Sequence, residues 1–248
     1  MLRSLWALFV VVASASILGF AAGVASVVYP ASYATMRATR VWSRVALGAA
    51  GIRVSYHGLE HTRRRGATVF ISNHLSTADV WAVAPALPAS NLYVAKRSLF
   101  RIPLVGWAMT AAGFIPIDRD RRESAIRSLD AAAARVRAGR SITLFAEGTR
   151  SRTGRLGPFK KGPFHLALAS GVPVVPVAIS GSRRSFPPGA ILTRPGRVQV
   201  SFAPPIDLAA WPREDVEGLM AAVRRAISSG LAPDELPEPA DPPIAGAS

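Results

Sequence analysis

Short apolar runs alternate with longer amphipathic stretches along the chain from about residue 50 onward. Each run is five or six residues long, is rich in β-branched and other apolar residues, and is bounded by polar residues, glycine or proline. Runs of this kind are typical of buried β-strands. We therefore predict strands over Ile52–Tyr56, Thr68–Ser72, Asn91–Ala95, Gly113–Ile117, Ser141–Phe145, Val174–Ile179 and Val198–Phe202.

The stretches between these runs carry helical signals. In the clearest one, Asp120 and Glu123 form a capping-box pattern, and Gly139 is placed to end the helix. Alternation of strands and helices predicts an α/β fold with a mixed, mostly parallel sheet flanked by helices. Helices are predicted after Thr77, Ser98, Asp120, Gly162 and Pro212, and the apolar stripe of the third is Ile126, Leu129, Ala133 and Val136.

The amino-terminal part of the chain has a different pattern. Leu5 to Val28 is almost wholly apolar, and about 20 such residues suffice to span a bilayer as a helix. A cleaved signal peptide is the competing interpretation. Arg37, Arg40 and Arg44 then recur at helical spacing, which predicts an interfacial amphipathic helix. Together they predict a two-helix membrane-binding segment that either spans the bilayer or lies in one leaflet, with the catalytic domain on the cytoplasmic face of the cell membrane.

These patterns divide the chain into three parts: residues 1–50 as membrane-anchoring helices, 51–230 as the catalytic domain, and 231–248 as a disordered tail. The net charge of +15 and a pI near 11.6 imply attraction to a polyanion. An anionic membrane surface fits better than nucleic acid, because the sequence contains no recognised nucleic-acid-binding motif.

A histidine and an aspartate follow the second predicted strand. His74 and Asp79 would face apart by about 140° within one continuous helix. They meet if His74 lies on the turn and Asp79 in the first turn of a helix capped by Ser76 or Thr77. Asp79 would then bind one ring nitrogen and leave the other free as a general base. The alternative is that His74 is an ordinary turn residue and Asp79 only complements the helix dipole.

A second polar cluster, Glu147-Gly148-Thr149-Arg150, follows the fifth predicted strand. Arginine binds phosphate through two parallel hydrogen bonds, and glycine allows backbone N–H groups to approach an anion. The cluster therefore predicts an anion clamp. Other classes fit poorly, because the sequence has no Gly-x-Ser-x-Gly elbow, no phosphate-binding P-loop and no cysteine, and its four histidines lack zinc-ligand spacing. We expect no metal and no bound cofactor.

Three further segments extend the pattern. Lys96-Arg97-Ser98-Leu99-Phe100-Arg101 and Phe114-Ile115-Pro116-Ile117-Asp118-Arg119 lie between the two clusters, and Val174-Val175-Pro176-Val177 follows them. They form four blocks: the first contains His74 and Asp79, the second ends at Arg119, the third contains Glu147-Gly148-Thr149-Arg150, and the fourth contains Pro176. The four blocks in this order resemble the glycerolipid acyltransferase family that includes 1-acylglycerol-3-phosphate acyltransferases. The resemblance covers about residues 50 to 205. One departure is visible, since the third block of the family usually has proline where this chain has Ala146.

The resemblance implies roles at the matching positions. His74 would deprotonate the acceptor hydroxyl, Asp79 would orient it, and Pro176 would shape the acyl side of the site. The residues associated with glycerol phosphate are Arg119, Glu147, Gly148, Thr149 and Arg150. Lys96 adds a positive charge that either contributes to phosphate binding or is ordinary solvated surface, and Glu147 is alternatively a structural partner of an arginine.

We therefore expect an acyltransferase that uses acyl-CoA or acyl carrier protein to convert 1-acylglycerol 3-phosphate into phosphatidic acid in phospholipid biosynthesis. Asn73 or a backbone N–H is the candidate donor to the tetrahedral oxyanion. Within the same class, the acceptor is alternatively another lysolipid, such as a lyso-ornithine lipid or a lysophospholipid. In a different class, the chain would be a non-catalytic membrane-surface binding protein that retains the fold.

Overall fold

A seven-stranded sheet forms the centre of the molecule, with strand order β1-β7-β6-β2-β5-β3-β4. The structure is a computed structural model that describes residues 4–14, 17–18, 34–102, 105–111, 113–118 and 121–238. All seven predicted strands are confirmed with small shifts at their ends. They are β1 (Ile52–His57), β2 (Val69–Ser72), β3 (Leu92–Lys96), β4 (Ile115–Ile117), β5 (Ile142–Phe145), β6 (Val174–Ser180) and β7 (Gly196–Phe202).

Neighbouring strands are parallel except for one pair, so the predicted mixed, mostly parallel sheet is confirmed. β2 pairs in parallel with β5 on one side and with β6 on the other, and β6 and β7 are antiparallel. Ser72 lies opposite Phe145 in the β2–β5 register. The carboxyl ends of β2 and β5 therefore meet at one edge of the sheet, where open α/β sheets bind their ligands.

Helices cover both faces of the sheet. Short 3₁₀ turns occur at Leu59–Thr62, Ala84–Ala86, Arg97–Arg101 and Pro233–Glu235. The helices are α1 (residues 4–14), α2 (Ala34–Ala50), α3 (Ala78–Val83), α4 (Val105–Ala111), α5 (Arg122–Arg137), α6 (Gly162–Ser170), α7 (Ser182–Ser185) and α8 (Val216–Ser228).

Two apolar cores hold these layers together. On one face, Val136 of α5, Phe164 of α6 and Leu219 of α8 are fully buried against the sheet. On the other face, Met36 of α2 and Trp81 of α3 belong to a second core that includes Phe70 of β2. Fully burying one such side chain contributes roughly 1.5–3 kcal/mol, so the cores fix the sheet edge that carries the site.

The amino-terminal helices are present in the described part of the chain. The indole Nε1 of Trp42 in α2 donates to the main-chain oxygen of Val11 in α1, at 3.2 Å. Among the described residues, no helix combines the length and the apolar character needed to cross a bilayer. Part of the predicted apolar segment, residues 19–28, lies outside the described residues.

The apolar stripe predicted for α5 differs from the structure at one residue. Ala133 and Val136 are buried as predicted, together with Ala132, but Ile126 is 48% exposed. Gly139, with φ of +94°, follows the end of that helix as expected.

Residues 231–238, assigned to a disordered tail, are ordered. The main-chain oxygen of Glu235 accepts a hydrogen bond from Leu156, and its carboxylate Oε1 accepts one from the N–H of Gly181, both at 2.8 Å. These contacts anchor the segment although its composition is rich in proline and acid. Residues 239–248 lie outside the described part of the chain.

Candidate active site

The two predicted polar clusters leave adjacent parallel strands at the same level. His74 comes two residues after Ser72, and Glu147 comes two residues after Phe145, which lies opposite Ser72. The N–H of Ser151 also donates to the main-chain oxygen of His74 at 2.7 Å. The sheet register therefore brings the candidate base and the candidate anion clamp together.

His74 and Asp79 form the predicted pair. The imidazole Nδ1 lies 2.7 Å from Asp79 Oδ2. The same oxygen accepts the main-chain N–H groups of Leu75 at 2.7 Å and Ser76 at 2.8 Å. Asp79 is fully buried in the first turn of α3, as the geometric argument required. With Nδ1 bonded to the carboxylate, the tautomer that leaves Nε2 free to accept a proton is favoured.

The start of α3 is fixed by Ser76 rather than by Thr77. The hydroxyl of Ser76 accepts the N–H of Ala78 at 3.0 Å and donates to the main-chain oxygen of Phe186 at 2.6 Å. Thr77 occupies the cap position without a side-chain capping bond. The hydroxyl of Ser76 thus bonds the first residue of the helix and also the loop after α7.

The ring of His74 stacks on that of Phe145, with centroids 3.9 Å apart and planes inclined by 16°. Phe145 is the last residue of β5, directly before the third sequence block. It is the residue that sequence reasoning missed, although an aromatic at the end of a strand beside the site was a usable signal. Stacking restricts rotation of the ring and so supports the geometry set by Asp79.

The side-chain amide of Asn73, the oxyanion donor that the sequence suggested, is bonded to the main chain in this structure. Its amide is fully buried and donates to the main-chain oxygen of Ile179 and accepts from the N–H of the same residue, each at 2.8 Å. The side chain therefore continues the β2–β6 pairing beyond the end of β2. A backbone N–H remains the candidate for stabilising the oxyanion.

Glu147 is a buried carboxylate that bonds two loops of the site. It is 5% exposed; Oε2 accepts the N–H of His74 at 2.7 Å, and Oε1 accepts the N–H of Gly157 at 2.8 Å. Burial raises the pKa of this carboxyl above its ordinary value, although the hydrogen bonds from Gly157 and His74 oppose the shift. Its partners are thus backbone groups rather than an arginine, and these contacts position the loop that carries His74. The substrate contact implied for Glu147 remains a prediction.

The rest of the third block turns toward solvent. Gly148 has φ of +70°, a left-handed conformation that side chains disfavour, and Thr149 and Arg150 are exposed. The guanidinium of Arg150 donates from Nη1 to the hydroxyl of Thr77 at 2.9 Å. Since Thr77 precedes α3, Arg150 lies beside the loop that holds His74 and Asp79.

The other predicted site residues are placed differently. Lys96 is exposed at the carboxyl end of β3, on the same edge of the sheet as the third block. Pro176 is buried within β6, opposite Ile71, and so lies inside the sheet rather than at its edge. Arg119 lies outside the described residues. For all of these residues the functional roles remain predictions.

Arg183 is a further residue that sequence reasoning missed. Its guanidinium donates to the main-chain oxygens of Ser151 at 2.8 Å and Arg152 at 2.7 Å. It therefore holds the segment that directly follows Arg150. No local signal marked this residue, because the contact joins parts of the chain about 30 residues apart.

Fold and site together describe an α/β enzyme with a partly exposed histidine on a buried aspartate, and an exposed arginine, at the carboxyl edge of its sheet. Comparison with known proteins agrees with this class. The family described as "Acyltransferase" matches residues 53–180, which include every described site residue named above except Arg183. The chain therefore belongs to the acyltransferase family.

Individual relatives extend the comparison. The chain is 35% identical over 188 residues to the 1-acyl-sn-glycerol-3-phosphate acyltransferase of Limnanthes douglasii, covering 75% of this chain and 66% of that protein. It is 34% identical over 179 residues to the 1-acyl-sn-glycerol-3-phosphate acyltransferase alpha of Mus musculus, covering 71% and 63%. The chain thus spans at most about two thirds of the length of these two relatives.

A solved structure shares nearly the whole fold. The crystal structure of the 1-acyl-sn-glycerophosphate (LPA) acyltransferase PlsC from Thermotoga maritima is similar with a TM-score of 0.80 and 25% sequence identity. The match covers 92% of this chain and 93% of that one. The similarity therefore extends well beyond the residues matched by the family.

Proposed function

We propose that the protein transfers a fatty acyl group from a thioester to the free hydroxyl of 1-acylglycerol 3-phosphate, making phosphatidic acid. The observation that carries the proposal is the 2.7 Å contact between His74 Nδ1 and Asp79 Oδ2, beside an exposed arginine. The names of the relatives, plant, animal and bacterial, support this acceptor. The donor is acyl-CoA or an acylated acyl carrier protein, since both carry the same thioester.

The proposed reaction is a direct transfer. His74 Nε2 takes the proton of the acceptor hydroxyl while the oxygen attacks the thioester carbonyl, and Asp79 stabilises the resulting imidazolium. A carbon–oxygen bond forms, the carbon–sulfur bond then breaks, and the departing thiolate takes the proton from His74. No acyl-enzyme is needed, and neither is a metal ion or a bound cofactor, because the thioester is already activated.

The acceptor phosphate binds at the exposed end of the third block in this proposal. Arg150 supplies a planar pair of donors, Thr149 a hydroxyl, and Gly148 a backbone position open to close approach. Lys96 adds a point charge at the same edge, and Arg119 is a further candidate that rests on the sequence motif alone. Holding the phosphate there would orient the hydroxyl toward His74 and remove much of the entropic barrier to the reaction.

The test is turnover of 1-acylglycerol 3-phosphate with long-chain acyl-CoA by the detergent-purified protein. Loss of a general base typically lowers the rate about 100- to 10,000-fold, which we expect for His74→Ala. The matched control is His165→Ala, which removes an exposed histidine on α6 and should leave turnover unchanged. Turnover that survives in His74→Ala contradicts the mechanism. Inactivity of the wild type with both acyl-CoA and acyl carrier protein thioesters overturns the function.

We also propose that the catalytic edge of the sheet faces the cytoplasmic surface of the cell membrane. The segment after β3 exposes Ile102 (46%) and Trp107 (72%), with Arg97 and Arg101 exposed beside them. No aspartate or glutamate occurs between Asp79 and Asp118. Exposed apolar side chains with basic neighbours suit the boundary of an anionic bilayer. The exposed apolar residues of α1, among them Trp6 and Phe9, add to the same tendency.

Single-cysteine labelling tests this orientation, because the chain contains no cysteine. A polarity-sensitive fluorophore on Ile102→Cys or Trp107→Cys should shift to the blue with phosphatidylglycerol vesicles and be quenched by nitroxide-labelled lipid. Ala138→Cys is the control, since Ala138 is exposed at the end of α5, just before β5 begins, and so lies toward the opposite edge of the sheet. Vesicle binding without any response at residues 102 and 107 contradicts the orientation. Labelling of these cysteines by a membrane-impermeant thiol reagent in intact cells contradicts the cytoplasmic side.

A further inference from the structure

Two groups of arginines that the proposed reaction does not use lie together in the structure. Arg40 and Arg44 project from α2, and Arg63 and Arg64 belong to the loop between the first 3₁₀ turn and β2. All four line one cleft of about 560 Å³. The basic face of α2 and the arginines before β2 therefore border the same cleft.

The cleft lies away from the candidate active site. Arg63 and Arg64 precede β2, and Pro85 to Pro88 precede β3, so these parts of the cleft belong to the amino ends of the two strands. His74 follows the carboxyl end of β2. Because a strand separates the two positions, the cleft is not a part of the catalytic edge.

The lining of the cleft combines positive charge with apolar surface. Its accessible apolar part comes from Leu59, Ala86 and Pro88, and no aspartate or glutamate is among the described residues that line it. Glu60, in the neighbouring 3₁₀ turn, lies 3.7 Å from His61 instead. An amphiphile with an anionic head matches such a lining better than a wholly polar anion does.

Arg40 is the strongest indication that an anion belongs in the cleft. Its Nη2 donates to the main-chain oxygen of Pro85 at 3.3 Å, whereas its Nε is buried and without a hydrogen-bond partner. The hydroxyl of Tyr56, which also lines the cleft, is not a partner of the Arg40 Nε. It donates to the main-chain oxygen of Ala82 at 2.8 Å. A buried, charged donor without a partner is unfavourable, and a phosphate oxygen would relieve it.

We propose that this cleft binds the phosphate group of an anionic membrane lipid, with the apolar wall contacting the start of the lipid's acyl chains. The inference concerns a second site and does not depend on the proposed reaction. Free phosphate has the same head-group chemistry, so the test must separate the two sources.

The experiment is calorimetric titration of the full chain in non-ionic detergent with dioctanoyl phosphatidylglycerol, dioctanoyl phosphatidylcholine and inorganic phosphate. The variant Arg44→Gln/Arg63→Gln removes two exposed cleft arginines, and Arg197→Gln/Arg213→Gln removes two exposed arginines elsewhere, with the same loss of charge. Arg150→Ala reports any binding at the catalytic edge. Thermal unfolding of each variant checks that it is folded.

We expect phosphatidylglycerol to bind the wild type, Arg150→Ala and the Arg197/Arg213 variant alike, and the cleft variant about 10-fold more weakly or worse. Phosphatidylcholine should bind more weakly than phosphatidylglycerol. Equal affinity of the cleft variant and its control overturns the site, and equal affinity for the two lipids overturns the role of charge. Inorganic phosphate that displaces phosphatidylglycerol at a similar concentration overturns the lipid as the source.

Discussion

The two loops that form the candidate active site are built in opposite ways. In the turn between β2 and α3, the carboxylate of Asp79 is fully buried and receives three donors on one oxygen, and Asn73 is bonded on both of its amide atoms. In the third block, Thr149 and Arg150 are exposed. The proposed base is thus preorganised in the protein alone, whereas the proposed phosphate ligands are solvated until the acceptor arrives.

This difference matches what each step requires. Proton transfer needs a fixed distance and a fixed tautomer, so rigidity around His74 is useful before any substrate binds. Phosphate binding needs long, charged side chains that can adapt to a lipid entering from one side. Glu147 links the two loops, because its carboxylate bonds the backbone of His74 and of Gly157.

A substitution in the rigid turn between β2 and α3 should produce the largest effect on activity. Asp79→Asn can still present one oxygen to the three N–H groups that now bond Oδ2, but it removes the negative charge that stabilises the imidazolium of His74. We expect kcat to fall by about 100-fold or more with KM little changed. Steady-state kinetics with 1-acylglycerol 3-phosphate measures this, and Asp207→Asn, at an exposed aspartate, is the control. A rise in KM with kcat preserved would place Asp79 in substrate binding instead.

A substitution in the exposed third block should produce a different kinetic pattern. Arg150→Ala removes one charge-assisted pair of hydrogen bonds to phosphate and should raise KM for the acceptor by about 10- to 100-fold, with a smaller effect on kcat. Arg152→Ala removes a nearby exposed arginine and should stay within about 3-fold of the wild type. Equal effects of the two substitutions would show that only general positive charge matters.

The hydrogen bonds of Glu147 that link the two loops can be weakened by a substitution of the same size and shape. Glu147→Gln turns an amide N–H group toward one of two buried backbone N–H donors, which should lower the free energy of unfolding by about 1–3 kcal/mol. Denaturant unfolding in detergent measures the change. Glu217→Gln, at an exposed ion pair with Lys161, should change it by less than about 1 kcal/mol. A Glu147→Gln variant as stable as the wild type would remove the proposed positioning role.

The smallest expected effect is a pH dependence of that stability difference. Burial raises the pKa of Glu147 in the folded state. The contribution of this raised pKa to the free energy of unfolding is therefore fully present below the unfolded-state pKa and declines as pH rises through the folded-state pKa. The wild type should therefore gain stability relative to Glu147→Gln as pH is lowered from about 7 to about 4. Paired unfolding curves across that range measure the difference. A gap that widens toward higher pH would contradict the raised pKa.

Local patterns predicted the elements and missed the contacts between distant parts of the chain. Short β-branched runs located every strand, and the turn geometry required for His74 and Asp79 to meet is the one observed. The partners of Asn73 and Glu147, Ile179 and Gly157, could not be predicted from local patterns because they are set by the tertiary fold. Composition also misjudged the segment around Glu235, because two specific hydrogen bonds outweigh a proline-rich sequence.

Equilibrium binding of 1-acylglycerol 3-phosphate to His74→Ala and Arg150→Ala tests the division between the two loops most directly. We expect His74→Ala to bind the acceptor with the wild-type Kd while its turnover collapses. Arg150→Ala should bind it at least about 10-fold more weakly. The opposite pattern, in which His74→Ala loses affinity and Arg150→Ala keeps it, would contradict the account.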